Sequence, residues 1–532
     1  MFKTPIQYLP ETKQLNEQCQ NDLQMSVIYK DLLKEDSSSL VRKSWVNDYT
    51  ANVEFLKDTQ GMLNNDVKNM PTKYSFKKIQ ETLKELRDNP SFKEKYEYIS
   101  VEFFEKLNRN EIMLQAISMY TLSSPIISLL MPVVMMFIPF FALRILGKPI
   151  TMVNYVEQLK KVFAMMPIGK LFNIGEASWD QRGFIMFSVI LYFVQMYQNS
   201  LTCYKFYHHS QEMAKTIHDF GYYCNSTASS METYKTLADK LPTYDGFCSS
   251  LQTIIPKLRS MGEKFITISS SPFKDMGPRM KIFYDLYADD DYKKMFDYTF
   301  GYHEYSNNML SLMDIDEIHQ CSFSSSKSSF KNSYYSLLRH CDPTKNSYSL
   351  KKNGILSGPN ASGKTTLLKS TMINSILCQQ VGGGFFDEAS ILPVDYYHCY
   401  INIPDTCDRD SLFQAEARRC KEIIDIIDSN PQARHFCVFD ELFSGTNPYE
   451  AVGSALGYLT YLHKYKNVKY LLTTHYLDLC KEFTKSKYVS NYTFDKPYYL
   501  EKGISNIKGG IKVLEELEFP SEIVKTAQKM VS

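Results

Sequence analysis

Apolar side chains recur along this chain in three different rhythms. In Tyr74-Phe76-Ile79-Leu83-Leu86, and again in Ile254-Ile255-Leu258-Met261, most intervals are three or four, which places the apolar groups on one helix face. The surrounding stretches, 1–110 and 206–329, are polar and charged, so two mainly α-helical regions are expected there. No period of roughly 20 to 50 residues runs through them, which argues against a solenoid. The second rhythm is a plain absence of charge, over the 32 residues from Ile112 to Leu143 and the 22 from Gly183 to Tyr204. The third is short: Gly354-Ile355-Leu356-Ser357, His435-Phe436-Cys437-Val438-Phe439 and Tyr470-Leu471-Leu472-Thr473-Thr474 are apolar runs of strand length. Each is followed by residues that can do chemistry.

As helices, the uncharged runs would be about 48 Å and about 33 Å long, against roughly 30 Å for the hydrocarbon of a bilayer. Pro125, Pro132 and Pro139 recur every seventh residue and fall near one side of the first. Each removes a backbone donor, which a membrane helix tolerates better because neighbouring groups re-satisfy the backbone. The expectation is a two-helix membrane hairpin with its connecting loop over 111–205, touching the membrane through 112–143 and 183–204. The plain alternative is a pair of buried core helices in a soluble cytoplasmic or nuclear protein. Basic residues give no orientation: Arg144, Lys148, Lys160, Lys161, Lys170 and Arg182 lie between the runs, and Lys93, Lys95, Lys106, Arg109, Lys205 and Lys215 outside them. In a hairpin both ends share one compartment, and the phosphate-binding motif that follows makes that the cytosol.

The strand candidate 354–357 runs into Gly358-Pro359-Asn360-Ala361-Ser362-Gly363-Lys364-Thr365, a complete G-x-x-x-x-G-K-[ST] phosphate loop, and a helical pattern follows. The glycines let backbone N–H groups approach phosphates, and the helix N-terminus adds partial positive charge. Gly358, Pro359, Asn360, Ala361, Ser362, Gly363, Lys364, Thr365 and Thr366 are therefore the expected ATP-binding residues. Lys364 is expected to reach the β- and γ-phosphates and the Thr365 hydroxyl to ligate Mg²⁺. Asp440, at the end of the second strand candidate, is placed to hold Mg²⁺ directly or through water, and Glu441 to act as base on the attacking water. The third strand candidate ends at His475. Ligands gather at the carboxyl ends of strands in such sheets, so His475 is expected to sense the γ-phosphate rather than to be a structural histidine.

Composition changes this picture little. Sixty Lys+Arg against 59 Asp+Glu gives a formal charge of +1, which excludes a uniformly basic nucleic-acid coat but not a local basic face. The 12 cysteines show no paired C-x-x-C spacing and no signal peptide is evident, so reduced thiols are expected. Ser322-Phe323-Ser324-Ser325-Ser326-Lys327-Ser328-Ser329 reads as a loop or linker ahead of a domain at 330–532.

Over about 330–532 the motifs resemble the MutS family of ABC-type ATPases. The resemblance lies in the phosphate loop, in Val381-Gly382-Gly383-Gly384-Phe385 with Leu392-Pro393-Val394-Asp395, and in Asp440-Glu441-Leu442-Phe443-Ser444-Gly445-Thr446. It continues in Thr473-Thr474-His475-Tyr476 and in a tail with Gly503, Ser505, Gly510, Val513 and Phe519-Pro520. It implies an α/β P-loop domain that hydrolyses ATP with Mg²⁺, in a homodimer with two composite sites. Ser411 matches the signature serine that acts in trans on the other subunit's γ-phosphate, and Asn360 matches an asparagine near the phosphates. Asp342-Pro343-Thr344-Lys345-Asn346 resembles the nucleotide-base segment, without the apolar residue that follows the proline in the family. By the same resemblance the function is ATP-driven dimer closure in DNA mismatch repair or recombination, with duplex DNA as partner. Phe103-Phe104-Glu105 has the form of the family's F-x-E wedge, but no α/β module surrounds it. The hairpin departs from the soluble repair proteins and is more like a membrane-associated branch. The alternative function is a membrane-anchored ATPase switch that acts on a membrane or protein partner without reading DNA.

Overall fold

The computed structural model describes residues 1–33, 40–64, 76–145, 147, 151–172, 174–176, 178–269, 271, 274–401, 403, 412–496, 498–505 and 517–531. The chain forms two compact units, one of residues 71–230 and 254–297, the other of 1–70, 231–253 and 298–532. These cut across the four segments expected from the sequence: the first 70 residues belong with the C-terminal domain.

The first unit is helical. Helix Phe76–Asp88 buries Ile79, Leu83 and Leu86, as the spacing predicts; Tyr74 lies outside the described residues. Both uncharged runs are helix: α1 (Glu111–Ile145) continues through all three prolines, and the second run opens α2 (Trp179–Ala238). Neither is core. Only 17% of the most apolar stretch of Glu111–Met131 is buried, and 6% of that in α2. Helix Met276–Ala288 is the buried one, and its Arg279, wholly enclosed, donates to Ser210 Oγ at 2.6 Å and to the Ser271 carbonyl at 2.7 Å.

The second unit holds the α/β domain. Strand β1 (Asn353–Ser357) leads through the phosphate loop into α3 (Lys364–Val381). Then follow β2 (Tyr396–Tyr400), α4 (Leu412–Ser429), β3 (His435–Asp440), α5 (Pro448–Leu462), β4 (Val468–Thr474), β5 (Val489–Thr493) and β6 (Glu501–Lys502). The sheet order is β2-β3-β4-β1-β5-β6, parallel except for β6. The strands read as unbroken apolar runs because helices cover both faces of such a sheet. Register aligns their ends: Asp440 pairs with Thr473, and Ser357 with Thr474. The phosphate loop, Asp440-Glu441 and His475 therefore leave the sheet at one edge.

Two glutamines near the end of α3 tie the N-terminal residues to this domain. Gln379 Nε2 donates to the Thr50 carbonyl at 2.9 Å, and Gln380 Nε2 to those of Trp45 at 2.7 Å and Asp48 at 2.9 Å. The serine-rich stretch is not a plain linker. Ser322–Phe323 and Ser329–Ser333 are strands of a four-stranded sheet, paired with Glu388–Ile391 inside this same unit.

Candidate functional site

Three strand ends build the site. The loop after β1 turns on Gly358 (φ 154°), Ala361 (φ 61°) and Gly363 (φ 100°). At Gly363 the positive φ favours a residue without Cβ, and a Cβ there would stand 3.2 Å from the Tyr498 ring. Tyr498 is held in place: its N–H donates to the Ser362 carbonyl at 3.0 Å, and its carbonyl accepts from Asn346 Nδ2 at 2.9 Å. Lys364, 6% exposed, donates to the Gly358 carbonyl at 3.0 Å and the Pro359 carbonyl at 2.9 Å. Burial lowers its pKa, opposed by the carboxylates of Glu441 and Asp440.

Across the edge, Thr365 Oγ1 donates to Asp440 Oδ2 at 2.8 Å, while the Thr473 hydroxyl donates to the other carboxylate oxygen. Asp440 is thus aimed by two hydroxyls, one from α3 and one from β4. Glu441 has a positive φ of 55°, and its N–H donates to the Thr473 carbonyl at 3.1 Å. Its carboxylate lies 3.5 Å from His475 Nδ1. The contact with His475 holds the Glu441 carboxyl below its ordinary pKa, against the opposing effect of burial and with help from the Lys364 charge. A cavity of about 560 Å³ opens here, with Asn360, Ala361, Gly363, Lys364, Thr365, Thr366, Asp440, Glu441 and Ser444 in its wall. Gly358, Pro359, Ser362 and His475 do not line it. Ser411 lies outside the described residues, as do Gly510 and Val513.

Two residues to which the sequence assigned no role of their own complete the arrangement. Glu416, 2% exposed, accepts from Ser444 N at 3.0 Å, Ser444 Oγ at 2.8 Å and Gly445 N at 3.1 Å. It therefore fixes the loop that follows Glu441. Its signal was present: Glu416 shares helix spacing with the buried Cys420, Ile423 and Ile427, an acid on an apolar face. Thr473 gave only the weaker sign of a hydroxyl one residue inside a strand end.

The residues suit a magnesium nucleotide. The Ser362 hydroxyl is buried in the phosphate loop with no hydrogen-bond partner, and the Thr365–Asp440 pair supplies oxygen donors of the kind Mg²⁺ takes. A second cavity of about 220 Å³ adjoins the loop, lined in part by Tyr334, Leu338, Pro343 and Tyr498. It includes the segment expected to hold the base.

A parallel sheet carrying a phosphate loop at one strand end and an acidic pair at another defines a P-loop α/β domain. Residues 354–532 match MutS domain V. The chain is 30% identical over 191 residues to the DNA mismatch repair protein MutS of Bacteroides fragilis, covering 33% of this chain and 22% of the relative. It is 28% identical over 183 residues to the Endonuclease MutS2 of Streptococcus uberis, covering 33% and 23%. The Endonuclease MutS2 of Lactococcus lactis subsp. cremoris gives 29% over 188 residues, 34% and 24%. Residues 354–532 are thus similar to the fifth domain of MutS proteins. The alignments span about a quarter of the length of these curated relatives.

Proposed function

We propose that the chain is a MutS-family ATPase that binds ATP with Mg²⁺ and hydrolyses it, in a homodimer that closes on the nucleotide. The observation that carries this reading is the meeting of Lys364, Thr365, Asp440 and Glu441 around one cavity at the strand ends. Lys364 is the cation for the β- and γ-phosphates. Thr365 and Asp440 would hold Mg²⁺, which supplies charge against the phosphate oxygens when bound. Glu441, ionised and aimed by His475, takes the proton of the attacking water. His475 senses the γ-phosphate from behind the same carboxylate, and Ser411 of a second copy completes the site in trans. Glu441→Gln should retain nucleotide binding, read with a fluorescent ATP analogue, and lose turnover by roughly 100-fold or more. Turnover near the parent's would assign the base to another group.

The names of the relatives support duplex DNA as the partner and mismatch repair or recombination as the process. Duplex binding, with and without a mismatch, should then weaken steeply as salt rises. No binding at low salt overturns this part alone, because the nucleotide site does not depend on it. A second reading, a membrane-anchored switch with its ATPase domain in the cytosol, is favoured by the exposure of the two uncharged helices. Resistance to alkaline extraction from membranes is its expected outcome, and release overturns it.

A further inference from the structure

The α1–α2 seam carries polar groups among its apolar ones. On α1 the inward positions include Thr121, Ser124 and Ser128 beside Leu143, and on α2 Tyr192, Asn199 and Cys203 beside Val189. Outward stand Leu129, Val134, Phe137, Phe187, Ile190 and Phe193, each more than half exposed. A water-soluble helix pair shows the reverse, an apolar seam and a polar exterior.

Two of the three prolines explain why the seam needs polar groups. Each lacks the N–H that would bond the carbonyl four residues earlier. Pro125 frees the Thr121 carbonyl, and the Ser124 hydroxyl donates to it at 2.9 Å. Pro132 frees the Ser128 carbonyl, and the Tyr192 hydroxyl of the other helix donates to it at 3.1 Å. Asn199 Nδ2 donates to the Ser128 hydroxyl at 2.6 Å, and Cys203 Sγ to the Leu122 carbonyl at 3.4 Å. Water would solvate a freed carbonyl on an exposed helix without help. Hydrocarbon does not, so in lipid each freed carbonyl needs a protein donor.

Resting on the membrane reading above, we propose that α1 and the first part of α2 enter the bilayer as one antiparallel unit, locked by Tyr192 and Asn199 on Ser128, with lipid hydrocarbon covering the outside. A protein partner would cover one face, whereas exposed apolar groups stand on both helices.

The test uses the full chain in membranes of the expressing cells. Cys19, which contacts Cys399 across the intended cut, is replaced by Ala; in that background Leu122→Cys is combined with the native Cys203, and a protease site is inserted at Gly147 in the connector. After mild oxidation and cleavage, the two halves should stay joined on a non-reducing gel, and those of the Cys19→Ala chain without Leu122→Cys should separate. Tyr192→Phe with Asn199→Leu should lower the joined fraction roughly fivefold and leave resistance to alkaline extraction unchanged. Halves that separate in a chain still resistant to extraction overturn the paired unit and leave the membrane reading standing. A double variant that cross-links as fully as its parent overturns the lock. Release at alkaline pH overturns the membrane reading itself.

Discussion

The C-terminal sheet and the α1–α2 pair bury opposite things. In the sheet, Ile355, Phe439 and Leu472 are fully enclosed, and the edge displays carboxylates, hydroxyls and an imidazole. In the helix pair hydroxyls and an amide face inward, and leucines, valines and phenylalanines face out. Both arrangements satisfy the same requirement, that a polar group withdrawn from water must find a partner. What differs is the solvent that each surface is proposed to meet. The sheet assumes water and concentrates its polar groups where a charged ligand would bind. The helix pair spends its polar groups on its own backbone.

The contrast is broken most directly in the packing. Leu472→Ala removes a wholly enclosed side chain from β4. It should destabilise the C-terminal domain by about 2–5 kcal/mol, transfer and cavity contributions together. Leu130→Ala removes a side chain of the same size that is 49% exposed on α1. In detergent it should change stability by no more than ~0.5 kcal/mol. Thermal unfolding of the two variants side by side checks this, and equal losses would mean that the outside of α1 is packed like a core.

The part of the fold legible in sequence is the part carried by neighbouring residues. Gly358 to Thr365 is a contiguous motif whose strand and helix follow from local periodicity, so its fold and chemistry can be read together. The prolines of α1 are visible in the same way. Their partners are not: Tyr192 lies 64 residues from Ser128, and only the folded pair brings them together. Glu416 is visible as an acid on an apolar helix face, but what it holds is not, because the Ser444–Gly445 loop lies 28 and 29 residues on. The serine-rich stretch looked like a linker because serine is common in loops. β pairing with Glu388–Ile391 overrides that local preference. Gln379 and Gln380 carry no local sign that they hold the chain's first 50 residues.

A second difference is titratable groups. His398 and His435 lie side by side in the sheet, their facing ring nitrogens 3.0 Å apart. His435 Nε2 can only donate to the Asn430 carbonyl, so its Nδ1 accepts from His398, and His398 Nδ1 is left buried without a partner. Burial first, then His435 and the Arg419 charge, hold the His398 pKa down to about 3, and burial holds that of His303 to about 4. Below the ordinary value of 6.5 the unfolded chain takes up protons that these folded imidazoles refuse. Stability is therefore lost as pH falls through that window and regained above it. Asp22 works the other way, since burial raises its pKa to about 6 and favours the folded state toward acid. Two histidines against one carboxylate leave a net loss. The α1–α2 seam carries no carboxylate or imidazole among its described residues, so its cross-link should be as complete at pH 5 as at pH 7. Urea unfolding read by Trp45, with Trp179→Phe to silence the other tryptophan, should show a lower midpoint at pH 5. A flat profile would place water beside the histidine pair.

The smallest effect is expected at Phe103, and it decides whether the helical unit has any part in reading DNA. Phe103 is 84% exposed, as a wedge would be. The F-x-E pattern, however, requires its glutamate as well, and Glu105 is already engaged by Lys93 at 2.6 Å and by the Tyr284 hydroxyl at 2.8 Å. Those two contacts hold its carboxyl below the ordinary pKa, Lys93 first. A carboxylate so engaged serves the packing of its own unit. Phe103→Ala should therefore shift stability by less than ~0.5 kcal/mol and leave any preference for mismatched over matched duplex unchanged in a competition assay. Loss of that preference would give the helical unit a nucleic-acid surface of its own, and the division between a domain with a polar edge and a region proposed to meet hydrocarbon would no longer hold.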